Sequence, residues 1–528
     1  MDNRQVLIDQ LPTGKLSAEN YKIVEGPMPE AETGQVVIEK GGNAIDAAIA
    51  VNIVQGVVAP ETCGIGGDLF ALIWINSDDK PYCLDSSGYA GSNIDTIDFS
   101  SFKSLPLNHE ATVTVPGAVK GWESIHNKFG KLSFKDLFQE AIKICNEGFE
   151  VSVELNHTLN YHQDSLKKQN SSENFYVDGK PVEVGKIVRR EKLGKTLSSI
   201  ANNGSSVFYE GDIAKAISKA TKNTLTEEDI NSFDSKWVSP LKIDIYGKTG
   251  WVTPPHTQSY LTLATLKAYE LITNLGGELD PHLLVECYRS LAADRDQITY
   301  DYGDKIDSFA GLNLDYIKSK VSEIDTHQAK SFQNPEKLGG GTAYMAVKDS
   351  EGNAVSLIQS NFHGIGSTIG VSDYGFFLHN RGAGFNLIDN HPNKIYPHRK
   401  PLHTLSPTIW SKDGKLDMVI GTRGGRYQPQ LLSQFILPIL LKSSTPEEAM
   451  NKSRWVIDYF GENTESNLIF EKTSDENTIN YLKDKGHKIT MRDSLQSSFG
   501  PISIIYRDDN ESWRGVADSR VATAKAIY

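Results

Sequence analysis

GGGTAYMAVKDSEGNAVSLIQSNF, residues 339–362, carries a strong hairpin signal. Two runs of alternating apolar residues flank a polar turn sequence, residues 349–353, and this pattern predicts a β-hairpin. Thr342 begins the first strand directly after three glycines. The polar residues 326–341, which end in those glycines, are typical of an exposed and mobile segment. The pattern therefore predicts a strand that starts at an accessible point of the chain.

Thr342 is a candidate nucleophile because of this position. A threonine hydroxyl holds its proton tightly near neutral pH and needs an adjacent base. A free α-amine, with a pKa of about 8, can be that base. A cut before Thr342 would create the nucleophile and its base in one residue. On these residues alone, the ordinary start of a strand is the alternative interpretation.

Helices and further hairpins surround this stretch in the sequence. Residues 31–58 predict two helices separated by Gly41-Gly42, and the second is apolar on nearly all sides, which indicates burial. CGIGGDLFALIWI (63–75) predicts a glycine-rich turn and a strand, with KPYCLDSSG (80–88) as its hairpin partner. TQSYLTLATLKAYELIT (257–273) has the spacing of a core helix. This order suits sheets that lie between helix layers.

The composition is that of a globular protein. The chain has 528 residues, of which 39% are hydrophobic and 23% are charged. Its net charge of −13 leaves no broad basic surface, so we expect no nucleic-acid partner. No uncharged run is long enough to span a bilayer, and we expect no membrane partner. Residues 1–19 carry charges throughout and lack an apolar signal-peptide stretch, so we expect a cytoplasmic protein.

Motifs for metals and cofactors are weak. The four cysteines lie far apart without a CxxC pair, which argues against a zinc ribbon or a disulfide framework. The glycines of residues 64–67 precede a strand, whereas those of a dinucleotide fingerprint follow one. Four histidines crowd one region without HExxH spacing or a carboxylate cluster: His379, His391, His398 and His403. We therefore expect neither a metal nor a cofactor.

Eight segments resemble, in order, the hallmark segments of the γ-glutamyltranspeptidases. They are GGNAIDAAIAVNIVQGVVAPETCGIGGDLFALI (41–73), TVPGAVKGW (114–122), VFYEGDIAKAI (207–217), TPPHTQSYLTLATL (253–266), GTAYMAVKDSEGNAVSLIQS (341–360), PLHTLSPTI (401–409), GTRGG (421–425) and GVADSR (515–520). The resemblance runs from residue 31 to the C-terminus. It implies an α+β fold, the four-layer αββα sandwich of N-terminal-nucleophile hydrolases.

The resemblance also implies a zymogen that cuts itself before Thr342. The products would be a large subunit of residues 1–341 and a small subunit of residues 342–528. They would remain one αββα domain with peripheral helices around 150–235. We therefore expect two partners, the fragments of the same chain and a small-molecule amide, and we leave a homodimer open. Ala343 replaces the threonine that often follows the nucleophile, which bears on the rate of processing.

Three further positions complete the catalytic set that the resemblance implies. Thr342 Oγ would attack an amide carbonyl while its α-amine accepts the proton, and the acyl-enzyme would then be hydrolysed. Gly424 and Gly425 match the family's oxyanion hole, with a tight turn as the alternative. Ser360 matches a second hydroxyl residue that hydrogen-bonds the nucleophile, with an ordinary strand-end hydroxyl as the alternative.

The substrate-binding positions depart from those of the γ-glutamyltranspeptidases. Ser87 stands where the family's arginine holds the substrate's α-carboxylate, and Gly384 replaces the aspartate that holds the α-amine. Phe362 replaces an asparagine. His403 and Thr404 replace the paired serines that bind the carboxylate. Because the acidic and the basic partners of the amino-acid head group are both missing, we do not expect a normal γ-glutamyl pocket.

Arg381 offers a different way to bind an anion. It stands where the family commonly has an uncharged or acidic residue, and with His403 it could form a new anion pocket. A surface arginine that pairs with a nearby carboxylate is the alternative. Residues 380–409 also lack the longer lid of some transpeptidases. In this the chain resembles the subgroup that includes oxamate amidohydrolase and cephalosporin acylase-like enzymes, and an open site favours hydrolysis over transfer.

These observations predict a self-processing threonine amide hydrolase that acts on an anionic or small acyl group other than γ-glutamyl. The alternative enzyme is a glutathione hydrolase or γ-glutamyltransferase with altered head-group contacts, which would place the protein in glutathione metabolism. A third hypothesis, from another class, is a non-catalytic relative that serves as a scaffold.

Overall fold

The computed structural model describes residues 22–24, 28–169, 174–274, 278–332, 341–457, 467–493, 499–520 and 526–527. The α-helices of these residues are α1 (Met28–Glu39), α2 (Ala44–Val58), α3 (Ala118–Phe129), α4 (Gln139–Glu147), α5 (Val153–Tyr161), α6 (Gln163–Lys168), α7 (Glu191–Asn203), α8 (Ser206–Tyr209), α9 (Asp212–Ala220), α10 (Glu227–Asn231), α11 (Tyr260–Ile272), α12 (Pro281–Ala292), α13 (Arg295–Ile298), α14 (Leu314–Ser322), α15 (Gln428–Leu440), α16 (Pro446–Asn451) and α17 (Glu476–Asp484).

The strands of the same residues are β1 (Lys22–Val24), β2 (Asp68–Trp74), β3 (Tyr82–Ser86), β4 (Phe149–Glu150), β5 (Tyr176–Val177), β6 (Lys180–Pro181), β7 (Ile187–Val188), β8 (Lys236–Val238), β9 (Leu241–Ile245), β10 (Lys248–Val252), β11 (Gly341–Lys348), β12 (Ala354–Phe362), β13 (Gly370–Val371), β14 (Phe376–Phe377), β15 (Thr408–Lys412), β16 (Lys415–Thr422), β17 (Trp455–Ile457), β18 (Asn467–Glu471), β19 (Lys488–Arg492), β20 (Ile502–Arg507), β21 (Trp513–Ala517) and β22 (Ala526–Ile527).

Two antiparallel sheets form the centre of the molecule. Sheet I has the strand order β22-β1-β11-β12-β2-β3-β8, and sheet II has the order β21-β20-β16-β15-β10-β9. Neighbouring strands pair antiparallel in both sheets. Strands that are far apart in the chain are therefore neighbours in space.

The side chains of β11 show how the two sheets are stacked. Tyr344 and Ala346 belong to an apolar cluster shared with β15, β16 and β20 of sheet II. Met345 and Val347 alternate with them and join the apolar cluster that contains α2. Because successive side chains of a strand point to opposite faces, sheet I lies between sheet II and a helix layer. The strand thus has two buried faces.

Helices cover the outer face of each sheet. All residues of α2 are buried, as its apolar sequence predicts, and Asn43 and Asp46 form a capping box at its start. Helices α11, α12 and α15 share an apolar cluster with strands of sheet II on the other side of the molecule. The order of layers is helix, sheet, sheet, helix, which confirms the predicted α+β sandwich.

The predicted local elements are confirmed in the same regions. Strands β11 and β12 form the expected hairpin, with Lys348 opposite Ala354. Helices α1 and α2 are separated at Gly41-Gly42, β2 pairs with β3, and α11 is the expected core helix. Among the described helices, none combines the length and the apolarity that crossing a membrane requires.

The segment before β11 is partly described. The sequence predicts that residues 326–341 are mobile and exposed. Of these, residues 333–340 lie outside the described ranges. Residues 326–331 are mostly exposed, and Phe332 is buried. The Glu286 carboxylate of α12 accepts the N–H of Lys330 at 3.0 Å, and Arg289 donates to the Lys330 carbonyl. This part of the segment is thus attached to the helix layer.

The region around 150–235 holds helices α5 to α10 and two small two-stranded sheets, β4-β7 and β5-β6. Its buried side chains, among them Leu155, Phe175 and Leu193, belong to the same apolar cluster as α2. These helices therefore extend the helix layer that covers sheet I. One edge of the region approaches the start of β11, since His162 packs against Gly364.

Candidate active site

Thr342 lies in a β-bulge at the start of β11. Gly341 pairs with Phe362 and Ala343 pairs with Gln359, so Ser360 and Asn361 both stand opposite Thr342. A bulge of this kind turns a side chain out of the regular register, and bulges are frequent beside active sites. Thr342 is 1% exposed. Gly341 and Thr342 are consecutive residues of one strand, so the structure is that of the uncut chain.

Ser360 contacts both sides of the peptide bond before Thr342. Its Oγ donates to the carbonyl oxygen of Gly341 at 2.5 Å and accepts the N–H of Phe362 at 2.7 Å. Thr342 Oγ1 lies 3.5 Å from Ser360 Oγ, the outer limit of a hydrogen bond. In the uncut chain the Ser360 proton is therefore directed to the Gly341 carbonyl, and the nucleophile candidate lies beside it.

Arg381 is buried next to this pair. It is 0% exposed, and its Nη2 donates to Ser360 Oγ at 3.5 Å while its Nη1 donates to Thr404 Oγ1 at 3.2 Å. The guanidinium lies 4.0 Å from the centre of the Phe362 ring. Arg381 is therefore not the surface arginine of the alternative interpretation.

The charge of Arg381 is incompletely compensated. Within the described ranges its Nε has no hydrogen-bond partner, and no carboxylate lies within ion-pair distance. Burial lowers the pKa of the guanidinium to about 9, against the attraction of Asp68, so it remains cationic at neutral pH. A buried and unpaired cation is costly for a folded protein. The site can hence gain from an anion that binds at Arg381.

His403 belongs to a buried group around Asp68. Its Nε2 lies 3.3 Å from Asp68 Oδ2, and its Nδ1 accepts the N–H of Leu405 at 3.4 Å. His379 Nδ1 is 3.4 Å from the same carboxylate oxygen. Burial lowers the pKa of His403 well below its usual value, and Arg381 lowers it further. His403 is thus a neutral ring with both nitrogens engaged, which leaves Arg381 as the cation of the pair.

Asp68 is a residue that the sequence analysis missed. Burial alone would raise the pKa of its carboxyl, but His379 and His403 hold that pKa well below the usual value. A single carboxylate, Asp68, thus lies between His379 and His403, which is less than the carboxylate cluster that a metal site would need. The described residues still contain no group of three or more side chains that could hold a metal ion. The available signal was a charged residue at the start of an otherwise apolar strand.

Ser87 lies in a second buried network. Its Oγ donates to Asp85 at 2.6 Å and lies 3.1 Å from His256 Nε2. Lys400 donates to the same carboxylate at 2.8 Å. The rings of His256 and His403 are 5.8 Å apart, so this network adjoins the Asp68 group. Ser87 is thus brought close to the site, but its hydroxyl is engaged with neighbouring protein groups.

Gly424 and Gly425 follow the end of β16. Their φ angles are 121° and 55°, values that favour glycine. In the described part of the chain, neither N–H donates to a protein group. Gln258 donates to the carbonyl oxygens of Gly425 and Thr404, each at 3.1 Å, and so connects the glycine pair with the Arg381 pocket.

Sheet stacking brings these glycines towards the nucleophile candidate. A Cβ at Gly421, near the end of β16, would lie 2.1 Å from the ring of Tyr344. The end of β16 therefore faces the start of β11 across the interface between the sheets. The glycine pair thus follows a strand whose end is stacked on the strand that begins at Thr342.

Glu61 is another buried group that the sequence analysis missed. It is 8% exposed and lies in the turn after α2. Its Oε2 has no hydrogen-bond partner among the described residues. Burial raises the pKa of the Glu61 carboxyl to about 7. The sequence carries no signal for this beyond a glutamate between an apolar helix and a glycine-rich turn.

Comparison with known proteins covers nearly the whole chain. The family model described as gamma-glutamyltranspeptidase matches residues 31–528. A protein of Bacillus subtilis (strain 168) named glutathione hydrolase-like YwrD proenzyme is 32% identical over 506 residues, which cover 93% of this chain and 95% of that protein. The oxamate amidohydrolase proenzyme of Klebsiella pneumoniae is 28% identical over 512 residues, 94% of this chain and 96% of that protein.

A solved structure supports the same relationship. The cephalosporin acylase from Bacillus halodurans superposes with a TM-score of 0.88 at 27% identity, and the match covers 98% of each chain. The predicted type of sandwich, that of the N-terminal-nucleophile hydrolases, is thereby confirmed over the full length. The relatives found by sequence are named as proenzymes of hydrolases.

Proposed function

Because this chain belongs to the γ-glutamyltranspeptidase family, we propose that it is a self-processing threonine hydrolase for amides with a short anionic acyl group. It is an enzyme of a family whose members act on amide bonds. Thr342 is the nucleophile, and the cut before it gives a large subunit of residues 1–341 and a small subunit of residues 342–528.

The observation that carries the substrate class is the buried charge of Arg381, which has no ion-pair partner in the described part of the chain. Its guanidinium is 3.5 Å from Ser360 Oγ, and Thr342 Oγ1 is 3.5 Å from the same atom. A carboxylate bound at Arg381 and Thr404 would thus lie only a few bonds from the carbonyl that Thr342 attacks. Such spacing favours an acyl group in which the carboxylate is close to the amide.

The catalytic steps follow from these positions. After the cut, the Thr342 α-amine takes the proton of Oγ as the oxygen attacks the amide carbonyl. The N–H groups of Gly424 and Gly425 stabilise the negative charge on the carbonyl oxygen. Arg381 orients the substrate by its carboxylate. The amine leaves with the proton, and water hydrolyses the acyl-enzyme to release the acid and restore Thr342.

The names of two relatives bear on the substrate. The relative from Klebsiella pneumoniae is named for oxamate, an amide that carries a carboxylate next to the reacting carbonyl. The position of Arg381 favours a substrate of this kind. The relative from Bacillus subtilis is named for similarity to a glutathione hydrolase, which favours the second candidate, a γ-glutamyl amide held by altered contacts. The absence of a carboxylate at Gly384 speaks for the first candidate.

The test is a comparison of three amides on the cleaved protein: oxamate, a glutaryl amide and γ-glutamyl-p-nitroanilide. We expect the wild type to prefer the short anionic acyl group. Arg381→Met should lower kcat/KM for that amide by about 100-fold, mainly through KM, because the carboxylate loses its charged partner. A neutral acyl amide should lose much less.

Arg399→Met is the matched control, since it removes an arginine that lies outside the pocket. It should leave the preference unchanged. Rapid release from γ-glutamyl-p-nitroanilide alone would favour the second candidate. Equal losses for anionic and neutral amides in Arg381→Met would contradict the assigned role of Arg381.

A further inference from the structure

The uncut chain lacks the base that the mature enzyme would use. Before the cut, the nitrogen of Thr342 belongs to the peptide bond with Gly341, and an amide nitrogen is not a proton acceptor. Thr342 Oγ must nevertheless lose its proton when it attacks the Gly341 carbonyl. Ser360 is engaged as a donor to that carbonyl. Self-cleavage therefore requires another group that accepts a proton.

The turn that holds Glu61 is attached to the bulge around Thr342. Asn361, one of the two residues opposite Thr342, donates its backbone N–H to the Thr62 carbonyl and its Nδ2 to the Pro60 carbonyl, each at 3.1 Å. A Cβ at position 341 would lie 2.8 Å from the carbonyl oxygen of Glu61. The main chain of Glu61 therefore lies against the residue that precedes the cut, and its side chain starts from this point of contact.

The Glu61 carboxyl is suited to exchange a proton near neutral pH. It is buried, and its Oε2 is unpaired within the described ranges. Three charged groups face it from separate elements: Glu154 of α5, Arg423 after β16 and Arg190 before α7. Burial raises its pKa to about 7 and Glu154 adds to this, while both arginines oppose it. A carboxyl with such a pKa both accepts and returns protons at neutral pH.

The neighbouring histidines are less suited to this role. His162 packs against Gly364, and burial lowers its pKa to about 4. Burial also lowers the pKa of His363, and Arg381 lowers it further. Both rings are thus weaker bases than an ordinary histidine.

We propose that Glu61 is the proton acceptor of self-cleavage, an inference that rests on the self-processing assigned above. The Glu61 carboxylate takes the proton of Thr342 Oγ as the bond from Oγ to the Gly341 carbonyl carbon forms. Ser360 donates to the resulting oxyanion. The bond from Gly341 to the Thr342 nitrogen then breaks, and Glu61 returns the proton to that nitrogen. Water hydrolyses the ester, which frees the Gly341 carboxylate and Thr342 Oγ.

The test follows the first minutes of cleavage in full-length chain made by cell-free translation and shifted to buffers on either side of pH 7. The wild-type rate should rise as Glu61 ionises and level off above its pKa. Glu61→Gln should cut about 100-fold more slowly, without this inflection. Glu61→Asp should be slow but keep an inflection. A merely structural role would lower the rate and leave the inflection in place.

Glu154→Gln is a second, independent variant, because it changes a charge that faces Glu61 without touching the scissile bond. It should cut at the wild-type plateau rate, with the inflection moved to lower pH, since the like charge that raises the pKa of Glu61 is gone. An unmoved inflection would overturn the inference. So would a Glu61→Gln chain that cuts as fast as the wild type. A wild-type chain that never cuts would instead overturn the proposed self-processing itself.

Discussion

Ser360 polarises the peptide bond before Thr342 in the uncut chain. Its hydroxyl donates to the Gly341 carbonyl at 2.5 Å while Phe362 and Arg381 donate to its oxygen. Donors on the oxygen of a hydroxyl make its proton more positive, so the bond to the carbonyl strengthens. In this form of the chain, Ser360 acts on the carbonyl more closely than on the threonine hydroxyl, which lies 3.5 Å away.

We predict that Ser360→Ala slows self-cleavage by about 100-fold, because one donor to the developing oxyanion is lost. Ser360→Thr should restore most of the rate, since it returns the hydroxyl. The rate is followed by gel and intact mass. Ser356→Ala is the control: its hydroxyl lies on the same strand and contacts Tyr344. Equal rates for Ser360→Ala and wild type would show that the carbonyl needs no donor here.

At the scale of single residues, the sequence predicts the candidate site residues that lie in a recognisable local motif. It misses those that join the site only because the fold buries them there. Thr342 and Gly424 carry the family pattern in their immediate neighbours. Asp68 and Glu61 differ from ordinary acidic residues only by burial among partners that lie far away in the chain. The sequence places Arg381 among the candidates, but only the tertiary structure shows that its charge is buried and lacks a carboxylate partner among the residues that the structure describes.

The hairpin of β11 and β12 is tied to α2 through one side chain. Asp349 Oδ2 accepts the N–H of Ala44, the first residue of α2, at 3.0 Å. Its Oδ1 accepts the N–H of Asn353 at 2.9 Å and so closes the hairpin turn. One carboxylate thus caps the central helix and fixes the turn of the strand that begins at Thr342.

We predict that Asp349→Ala lowers the free energy of unfolding by about 2 kcal/mol, because a buried and a half-buried N–H group lose a charged acceptor. Thermal or urea unfolding of the purified protein measures the loss. Glu351→Ala, in the same turn, removes an exposed carboxylate that pairs with Lys131 on the surface and should cost much less. Similar losses in the two variants would contradict the assigned role of Asp349.

Elements that depend on nearby residues were predictable, and their order in the sheets was not. The turn at 349–353 and the break at Gly41-Gly42 follow from local residue types. The neighbours of β11 include β1, which is more than three hundred residues away in the chain. No local sequence pattern encodes such a pairing. The sandwich architecture was predicted from the family resemblance instead.

Both sheets combine strands from the two sides of position 342. In sheet I, β1 lies between β22 and β11, and β12 pairs with β2. In sheet II, β15 pairs with β10. The proposed fragments therefore share backbone hydrogen bonds within both sheets, in addition to a common apolar core.

We predict that the two fragments elute together after cleavage and separate only when the core unfolds. Size-exclusion chromatography with mass analysis, repeated over a series of urea concentrations, measures this. Separation and loss of secondary structure should occur at the same urea concentration, because neither fragment has a complete sheet of its own. Release of either fragment under native conditions would contradict the assembly proposed here.

Both sheets contain strands from the two proposed fragments, so the proposed cut would depend on correct folding of the whole chain. The bulge that presents Thr342 lies at the junction of β11 and β12, and these strands are held by β1 and β2 on either side. A truncated or misfolded chain lacks these neighbouring strands and would leave the peptide bond between Gly341 and Thr342 intact. Such a chain would have no free amine at Thr342 and would stay inactive, so the proposed nucleophile would form only in a chain whose two sheets are complete.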